Sequence, residues 1–183
     1  LVAALQVAGL AEALNGDGPF TVFAPTNAAF SAFLTANGFS QLSDVPVDLL
    51  TQVLLNHVIS GELMAGDLST SYGNTLATTT AGENLSIYIN TSNGVRLNNV
   101  SSVTQADITA SNGVIHVVDA VIGLPSVVDF ALADPTFETL VAALTRDDLT
   151  FDYVTTLSTP NGTSPAPFTV FAPTNEAFGD LLA

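Results

Sequence analysis

The octapeptide Phe-Thr-Val-Phe-Ala-Pro-Thr-Asn occupies residues 20–27 and returns, letter for letter, at residues 168–175. The pentapeptide Leu-Val-Ala-Ala-Leu precedes each copy, at residues 1–5 and 140–144. The octapeptides lie farther apart than the pentapeptides, and the polar, turn-rich run 158–167 supplies the insertion that this requires. Because the period far exceeds that of a solenoid repeat, the pattern indicates duplication of a whole domain.

This repeat sets the expected domain organisation. We expect one domain over residues 1–123, ended by Gly-Leu-Pro at 123–125, which breaks a long apolar strand. Residues 124–183 are expected to be the truncated N-terminal part of a second domain. The first domain has no counterpart of residues 126–139, so we expect it to lack its first helix in this sequence.

Helical patterns dominate the first part of the repeat. Residues 1–14 predict one helix rich in Ala and Leu, and Thr26 can cap a helix that follows a strand over 20–23. Residues 47–58 predict an amphipathic helix with apolar side chains at helical spacing. In the second copy, residues 126–133 and 135–144 predict two consecutive helices, and the repeat predicts a strand at the second octapeptide.

Strand patterns follow the helices. Residues 85–89 alternate between apolar and polar, and Asn93-Gly94 predicts a hairpin turn because both residues tolerate positive φ. Further strands are expected over residues 100–108 and 114–122. Helices first and a run of strands afterwards predict an α+β fold.

Composition excludes several functions. The chain has a net charge of −15 and only two basic residues, Arg96 and Arg146, so it would repel the phosphate backbone of a nucleic acid. No apolar run approaches the roughly 20 residues that a membrane-spanning helix needs. The sequence contains no cysteine, which excludes disulfides and thiolate metal sites. The strong acidity is typical of a hydrated, soluble surface.

Three segments, in order, resemble the motifs of the fasciclin (FAS1) domain family: residues 21–27, with their copy at 169–175, then 54–61 and 112–121. The resemblance implies a wedge built as a roughly seven-stranded β-sandwich and flanked by helices. It also implies secreted or surface-attached proteins, often with tandem domains, that serve in adhesion without general catalytic activity or a cofactor.

The resemblance further implies candidate adhesive residues. In animal members, integrin binding is assigned to a Tyr-His pair and to an Asp-Ile pair before the last motif. Asp107 and Ile108 match the second pair, and His57 matches the histidine of the first. Asn56 stands where the family has the tyrosine, which departs from the animal-type site.

The same residues allow other chemistry. His57 and His116 could act as acid–base groups or metal ligands, but each falls on an apolar face, where histidines commonly bond to backbone. No third ligand at zinc spacing, nucleophile elbow, calcium loop or phosphate loop accompanies them, so we expect no catalytic, metal or cofactor site. Four Asn-x-Ser/Thr sequons begin at Asn84, Asn90, Asn99 and Asn161.

The sequence therefore predicts an extracellular or cell-surface adhesion module that acts through tandem domains on protein or polysaccharide partners, and not an enzyme. A small-molecule binder or enzyme on the same scaffold is the alternative, and it would require His57 or His116 to lie in a polar cleft. A passive structural spacer is a third possibility.

Overall fold

A computed structural model describes residues 1–160 and 163–182, which form two compact units, Leu1–Leu124 and Pro125–Ala183. The first unit contains four helices and seven strands within its described residues. They are, in chain order, α1 Val2–Val7, α2 Ala11–Leu14, β1 Phe20–Pro25, α3 Asn27–Ala36, α4 Val47–Leu55, β2 Val58–Ser60, β3 Ser71–Thr78, β4 Asn84–Asn90, β5 Arg96–Leu97, β6 Ser101–Ala110 and β7 Gly113–Val118.

The first helical stretch is two helices, so the prediction of one helix over residues 1–14 was wrong. Gly9 takes a positive φ of 69° after α1. The Gly9 and Leu10 N–H groups then donate to the carbonyls of Gln6 and Leu5, at 3.2 and 2.9 Å. This is a Schellman motif, in which a left-handed glycine closes the helix and turns the chain before α2.

The predicted cap of α3 is confirmed, since Thr26 Oγ1 accepts the Ala29 N–H at 3.2 Å. The prediction for α4 was too long. The helix ends at Leu55, and Val58 belongs to β2, where it pairs with Val22. Val47 was expected on the buried face but is 53% exposed, because it stands in the first turn, outside the packed part of the helix.

The seven strands form one mixed sheet in the order β2-β1-β7-β6-β5-β4-β3. Only β1 and β7 run parallel, and every other neighbouring pair is antiparallel. Both edge strands pack together, because a Cβ added to Gly73 of β3 would lie 3.8 Å from the Ile59 side chain of β2. The sheet is therefore curled upon itself, and the predicted α+β fold with seven strands and flanking helices is confirmed.

Two apolar clusters hold the first unit together. One lies inside the curled sheet, and its buried members are Phe23, Ile59, Ile87, Ile89, Leu97, Val118 and Ile122. The other lies between the helices, and its buried members are Ala4, Phe30, Val45, Leu50 and Leu54. The octapeptide and the helix that follows it connect the two clusters, because Phe23 of β1 enters the sheet cluster while Phe30 of α3 enters the helical one.

Some strand boundaries differ from the expectation. β7 ends at Val118 and not at residue 122, because the chain leaves the sheet once its pairing with Val103 and Pro25 is complete. At the β4–β5 turn only Gly94 takes a positive φ, of 77°, and Asn93 does not. The sequence pattern did not indicate β2 and β3, which are too short or too polar to alternate clearly.

The second unit is mostly helical in its described part. Its helices are α5 Val127–Ala133, α6 Glu138–Leu144, α7 Tyr153–Leu157 and α8 Asn175–Leu182. The octapeptide copy forms no strand over residues 168–174, so that prediction was wrong. A strand needs neighbours for its backbone groups, and no strand lies in the described residues of this unit to supply them.

Candidate functional site

The candidate adhesive pair Asp107–Ile108 lies in an irregular part of β6. The pairing of β6 with β7 shifts register between Val103 and Gln105 and again between Gln105 and Ile108. Residues 104–107 consequently face solvent, and Ile108 is half-buried. Bulges of this kind redirect side chains away from the regular pleat. The structure therefore displays this stretch on an exposed face of the first unit.

Asp107 also has a structural role. Its φ is 61°, a left-handed conformation that Asp tolerates better than most side chains. Its Oδ1 accepts the Ala65 N–H at 2.7 Å, which attaches the 3₁₀ turn Ala65–Asp67 to β6. The Asp107 side chain remains 39% exposed, so one carboxylate both holds a loop and faces solvent.

His116 lies directly beneath Asp107 and is fully buried. Its Nδ1 accepts the Asp107 N–H at 3.2 Å, so the proton resides on Nε2, which donates to the Leu63 carbonyl at 2.9 Å. The ring stacks on Phe23 with centroids 5.6 Å apart. His116 thus fixes β6 and the loop after β2 against the core, with both ring nitrogens occupied.

Thr21, in the octapeptide, fastens the same loop. Its hydroxyl donates to the Gly61 carbonyl at 2.7 Å and accepts the Leu63 N–H at 2.9 Å. The loop is therefore held by three side chains, those of Thr21, Asp107 and His116. Apart from the repeated threonine, this arrangement left no signal in the sequence, because the loop contributes only backbone groups to these bonds.

His57 is 1% exposed and joins the end of α4 to the segment after β7. The Ile122 N–H donates to its Nε2 at 2.9 Å, so Nδ1 carries the proton and donates to the Val53 carbonyl at 2.7 Å. Burial lowers the pKa of His57 from 6.5 to about 4, although the bond to Val53 opposes the shift. A partner cannot reach this ring in the folded protein.

Asn56, at the family's tyrosine position, is completely buried. Its Nδ2 donates to the Gly123 carbonyl at 2.9 Å, and its Oδ1 accepts the Thr75 hydroxyl at 3.1 Å. The amide therefore joins α4 to β3 and to the end of the first unit. The Asn-His pair forms part of the interior, and Asp107 and Ile108 are the candidate residues that reach the surface.

Other candidate chemistry finds little support in the geometry. Within residues 1–160 and 163–182, no group of three His, Cys, Asp or Glu side chains could hold a metal ion. The same residues contain no helix with the length and apolar character needed to cross a bilayer. In the acidic doublet at 147–148, Asp148 forms an exposed ion pair with Arg146.

An apolar pocket of about 280 Å³ lies within the second unit. Side chains of α5, α6 and α7 line it, together with Val170 and Ala172. Among the described residues that line it, Thr145 and Tyr153 are the only ones with a hydroxyl group. A small-molecule site normally combines an apolar wall with several converging polar groups, which this pocket does not present.

The sequons differ in their surroundings. Asn84 Nδ2 donates to the Thr75 carbonyl at 2.7 Å, and Asn90 Oδ1 accepts the Ser92 N–H at 2.9 Å. Asn99 is exposed with a φ of 56°, but the serine of its sequon, Ser101, is buried. Asn161 lies outside the described residues.

Comparison with known proteins finds a matching family model and several similar sequences. A model of the Fasciclin domain matches residues 1–125. Protein sll1483 of Synechocystis sp. is 43% identical over 122 residues, which are 67% of this chain and 64% of that protein. Transforming growth factor-beta-induced protein ig-h3 of Sus scrofa is 31% identical over 172 residues, 93% of this chain and 23% of ig-h3. The chain thus spans less than two thirds of both relatives.

A solved structure is similar in fold. It is the FAS1 domain pair from the insect cell adhesion molecule Fasciclin I, which aligns with a TM-score of 0.54 and 22% identity. The alignment covers 76% of this chain and 50% of that one. At this identity the likeness concerns the fold alone.

Proposed function

The chain belongs to the fasciclin domain family, and on that premise we propose that it is an adhesion or binding module, secreted or held at a cell surface, and not an enzyme. Its partners are proteins or polysaccharides of a cell surface or matrix. The solved relative is a pair of FAS1 domains from a cell adhesion molecule. The net charge of −15 favours neutral or basic partners and disfavours nucleic acid.

We place the contact surface on the solvent-facing stretch of β6 at residues 104–108. The observation that carries this choice is that Asp107 and Ile108 reach the surface while His57 does not. The stretch is anchored at Asp107, because its carboxylate accepts the Ala65 N–H and its own N–H donates to His116, and a preorganised surface loses less entropy on binding. His57 influences binding only through the fold.

The proposed module acts in tandem, with residues 124–183 as the beginning of a second fasciclin domain. The penultimate residue of each octapeptide is a threonine that caps a helix, with Thr26 accepting the Ala29 N–H at 3.2 Å and Thr174 the Ala177 N–H at 3.3 Å. The match to ig-h3 extends over 172 residues, beyond the 125 of the family model. Linked modules convert weak single contacts into strong attachment.

The enzyme alternative depends on His57 and His116, and their surroundings do not favour it. His57 and His116 are both buried, and each uses both ring nitrogens in hydrogen bonds to backbone. Neither is presented to a substrate in a polar cleft. Both side chains instead hold separate segments of the backbone together.

Retention of the full chain on surfaces coated with matrix proteins or polysaccharides tests the proposal. Ile108→Ser should weaken retention by about tenfold if Ile108 is a contact, the size of loss typical of a moderate interface side chain. Val100→Ser is the matched control, since Val100 is an apolar residue that is 57% exposed outside the stretch. Equal retention of both variants would refute the surface, and no retention of the parent chain would favour a spacer.

The tandem mechanism needs a separate comparison. Residues 1–125 alone should dissociate faster from a densely coated surface than a protein carrying two complete domains. Equal dissociation rates would count against multivalent attachment, even if the β6 surface proved correct.

A further inference from the structure

Asn93 and Gly94 form an Asn-Gly pair in the turn between β4 and β5. Three other Asn-Gly pairs occur in the described part of the chain, beginning at Asn15, Asn37 and Asn112. We propose that Asn93 is a site of spontaneous covalent modification, at which the native protein converts this side-chain amide to aspartate and isoaspartate. The inference is independent of the adhesive role.

The chemistry needs only the chain and water. The backbone nitrogen of Gly94 attacks Cγ of Asn93, a C–N bond forms, the proton of the backbone N–H is lost, and the side-chain nitrogen leaves as ammonia. Water then opens the resulting succinimide at either carbonyl, which gives aspartate or isoaspartate. The proton lost from the backbone nitrogen leaves with the ammonia. In total, each asparagine that reacts consumes one water and releases one ammonia, and no atom changes oxidation state. Glycine favours the attack because it has no side chain to crowd its nitrogen.

The structure leaves the Asn93 side chain open to reaction, and the backbone around it forms an isolated β-bridge between Ser92 and Gly94. Asn93 is exposed, and no hydrogen bond holds its side chain among residues 1–160 and 163–182. A Cβ added to Gly94 would meet no atom within 4 Å. The neighbouring strand β5 has only two residues. The amide of Asn93 can therefore rotate toward the Gly94 nitrogen without breaking a side-chain hydrogen bond.

Asn112 is the opposite case. Its Nδ2 donates to the carbonyls of Leu14 and Gly16, at 2.9 and 3.1 Å. Its own carbonyl accepts the Phe20 N–H at 3.0 Å. Gly113 is crowded as well, since a Cβ there would lie 1.9 Å from the Phe20 carbonyl oxygen. Reaction at Asn112 would first require this part of the sheet to open.

The two remaining pairs are intermediate. Asn37 Nδ2 donates to the Phe33 carbonyl at 2.8 Å, and the Gly38 N–H donates to Thr35 at 3.2 Å. At the end of α2, the side chain of Asn15 is exposed, but the Gly16 N–H donates weakly to Ala13 at 3.4 Å. The expected order of reaction is therefore Asn93, then Asn15, then Asn37 and Asn112.

The test is peptide mapping by mass spectrometry of the full chain after incubation in mildly alkaline buffer. Each modified asparagine is located by the mass that its peptide gains when NH₂ is replaced by OH, and isoaspartate is detected separately. We expect Asn93 to react at least about tenfold faster than Asn112, because each hydrogen bond that must break slows the reaction by several-fold. The same incubation in denaturant should bring the four rates together.

Two variants sharpen the assignment. Asn93→Gln should remove the dominant product among the four described Asn-Gly pairs, whereas the matched change Asn15→Gln should leave it in place. The proposal is overturned if Asn112 or Asn37 reacts as fast as Asn93 in the native chain. It is also overturned if the native and denatured proteins show the same order of rates, because the structure would then have no influence on the choice of site.

Discussion

Acid should destabilise the first unit through His57. The pKa of this buried ring falls from 6.5 to about 4. The difference is about 2.5 pH units, which at about 1.4 kcal/mol per unit corresponds to about 3 kcal/mol of unfolding free energy. Because the folded chain binds the proton less well than the unfolded chain, this contribution is complete above about pH 6.5 and is lost as the pH falls toward about 4.

The assay is urea unfolding, followed by circular dichroism, over a series of pH values. His57→Gln serves as the reference because glutamine does not titrate, whereas every other ionisable group is common to both chains. The variant should be less stable at neutral pH by about 1–3 kcal/mol, since the Val53 carbonyl and the Ile122 N–H lose a well-placed partner. Between about pH 7 and pH 4 the parent chain should lose about 3 kcal/mol more than the variant.

Parallel pH curves for the two proteins would refute this reasoning. If His57→Gln fails to fold, NMR titration of the parent chain decides the question instead. The His57 ring should then stay neutral to below about pH 5, and a titration near its ordinary value of 6.5 would show that the ring is not buried as described.

The remaining predictions concern stability, measured as the change in the urea midpoint. Phe23→Ala should cost about 3–5 kcal/mol because Phe23 is fully buried, whereas Phe171→Ala, at the same place in the second octapeptide, should cost less than about 0.5 kcal/mol because Phe171 is 92% exposed. A substantial loss for Phe171→Ala would show that the second octapeptide is packed in solution. Asn56→Ala should lower the free energy of unfolding by about 2–4 kcal/mol, because two buried hydrogen bonds are lost. An unchanged stability would show that this amide is exposed to water. Gly113→Ala should prevent stable folding, because its φ is 149° and the new Cβ would meet the Phe20 backbone, while the control Gly123→Ala, with open space around it, should be nearly neutral. Similar stability of the two alanine variants would contradict the described β1–β7 pairing.

The fold class was readable from the sequence because it depends on local patterns. The alternation at residues 85–89 predicted β4, and the apolar spacing of Leu50 and Leu54 predicted the buried face of α4. Capping by Thr26 was equally predictable, since the threonine and the amide it binds are three residues apart. Boundaries were less accurate, and one missed signal was Gly9, whose left-handed conformation ends α1.

The candidate site was predictable only in part. The sequence placed His116 on a buried strand face and matched Asp107 and Ile108 to the family's Asp-Ile pair. It did not show that Asp107 binds the Ala65 N–H, because a backbone donor 42 residues away leaves no trace in the local pattern. For the same reason the sequence did not show that the Thr21 hydroxyl binds the backbone of Gly61 and Leu63.

The two octapeptides show which features the sequence decides and which depend on tertiary structure. Sequence alone determined the family, the repeated order of segments and the threonine that caps the next helix, since these depend on neighbouring residues. Tertiary structure decided that Phe20–Pro25 is a strand with Phe23 in the core, while the identical residues 168–173 form no strand and leave Phe171 exposed. The physical reason is that a strand's backbone groups and its buried side chain need partners from distant segments. The first octapeptide finds them in β2 and β7.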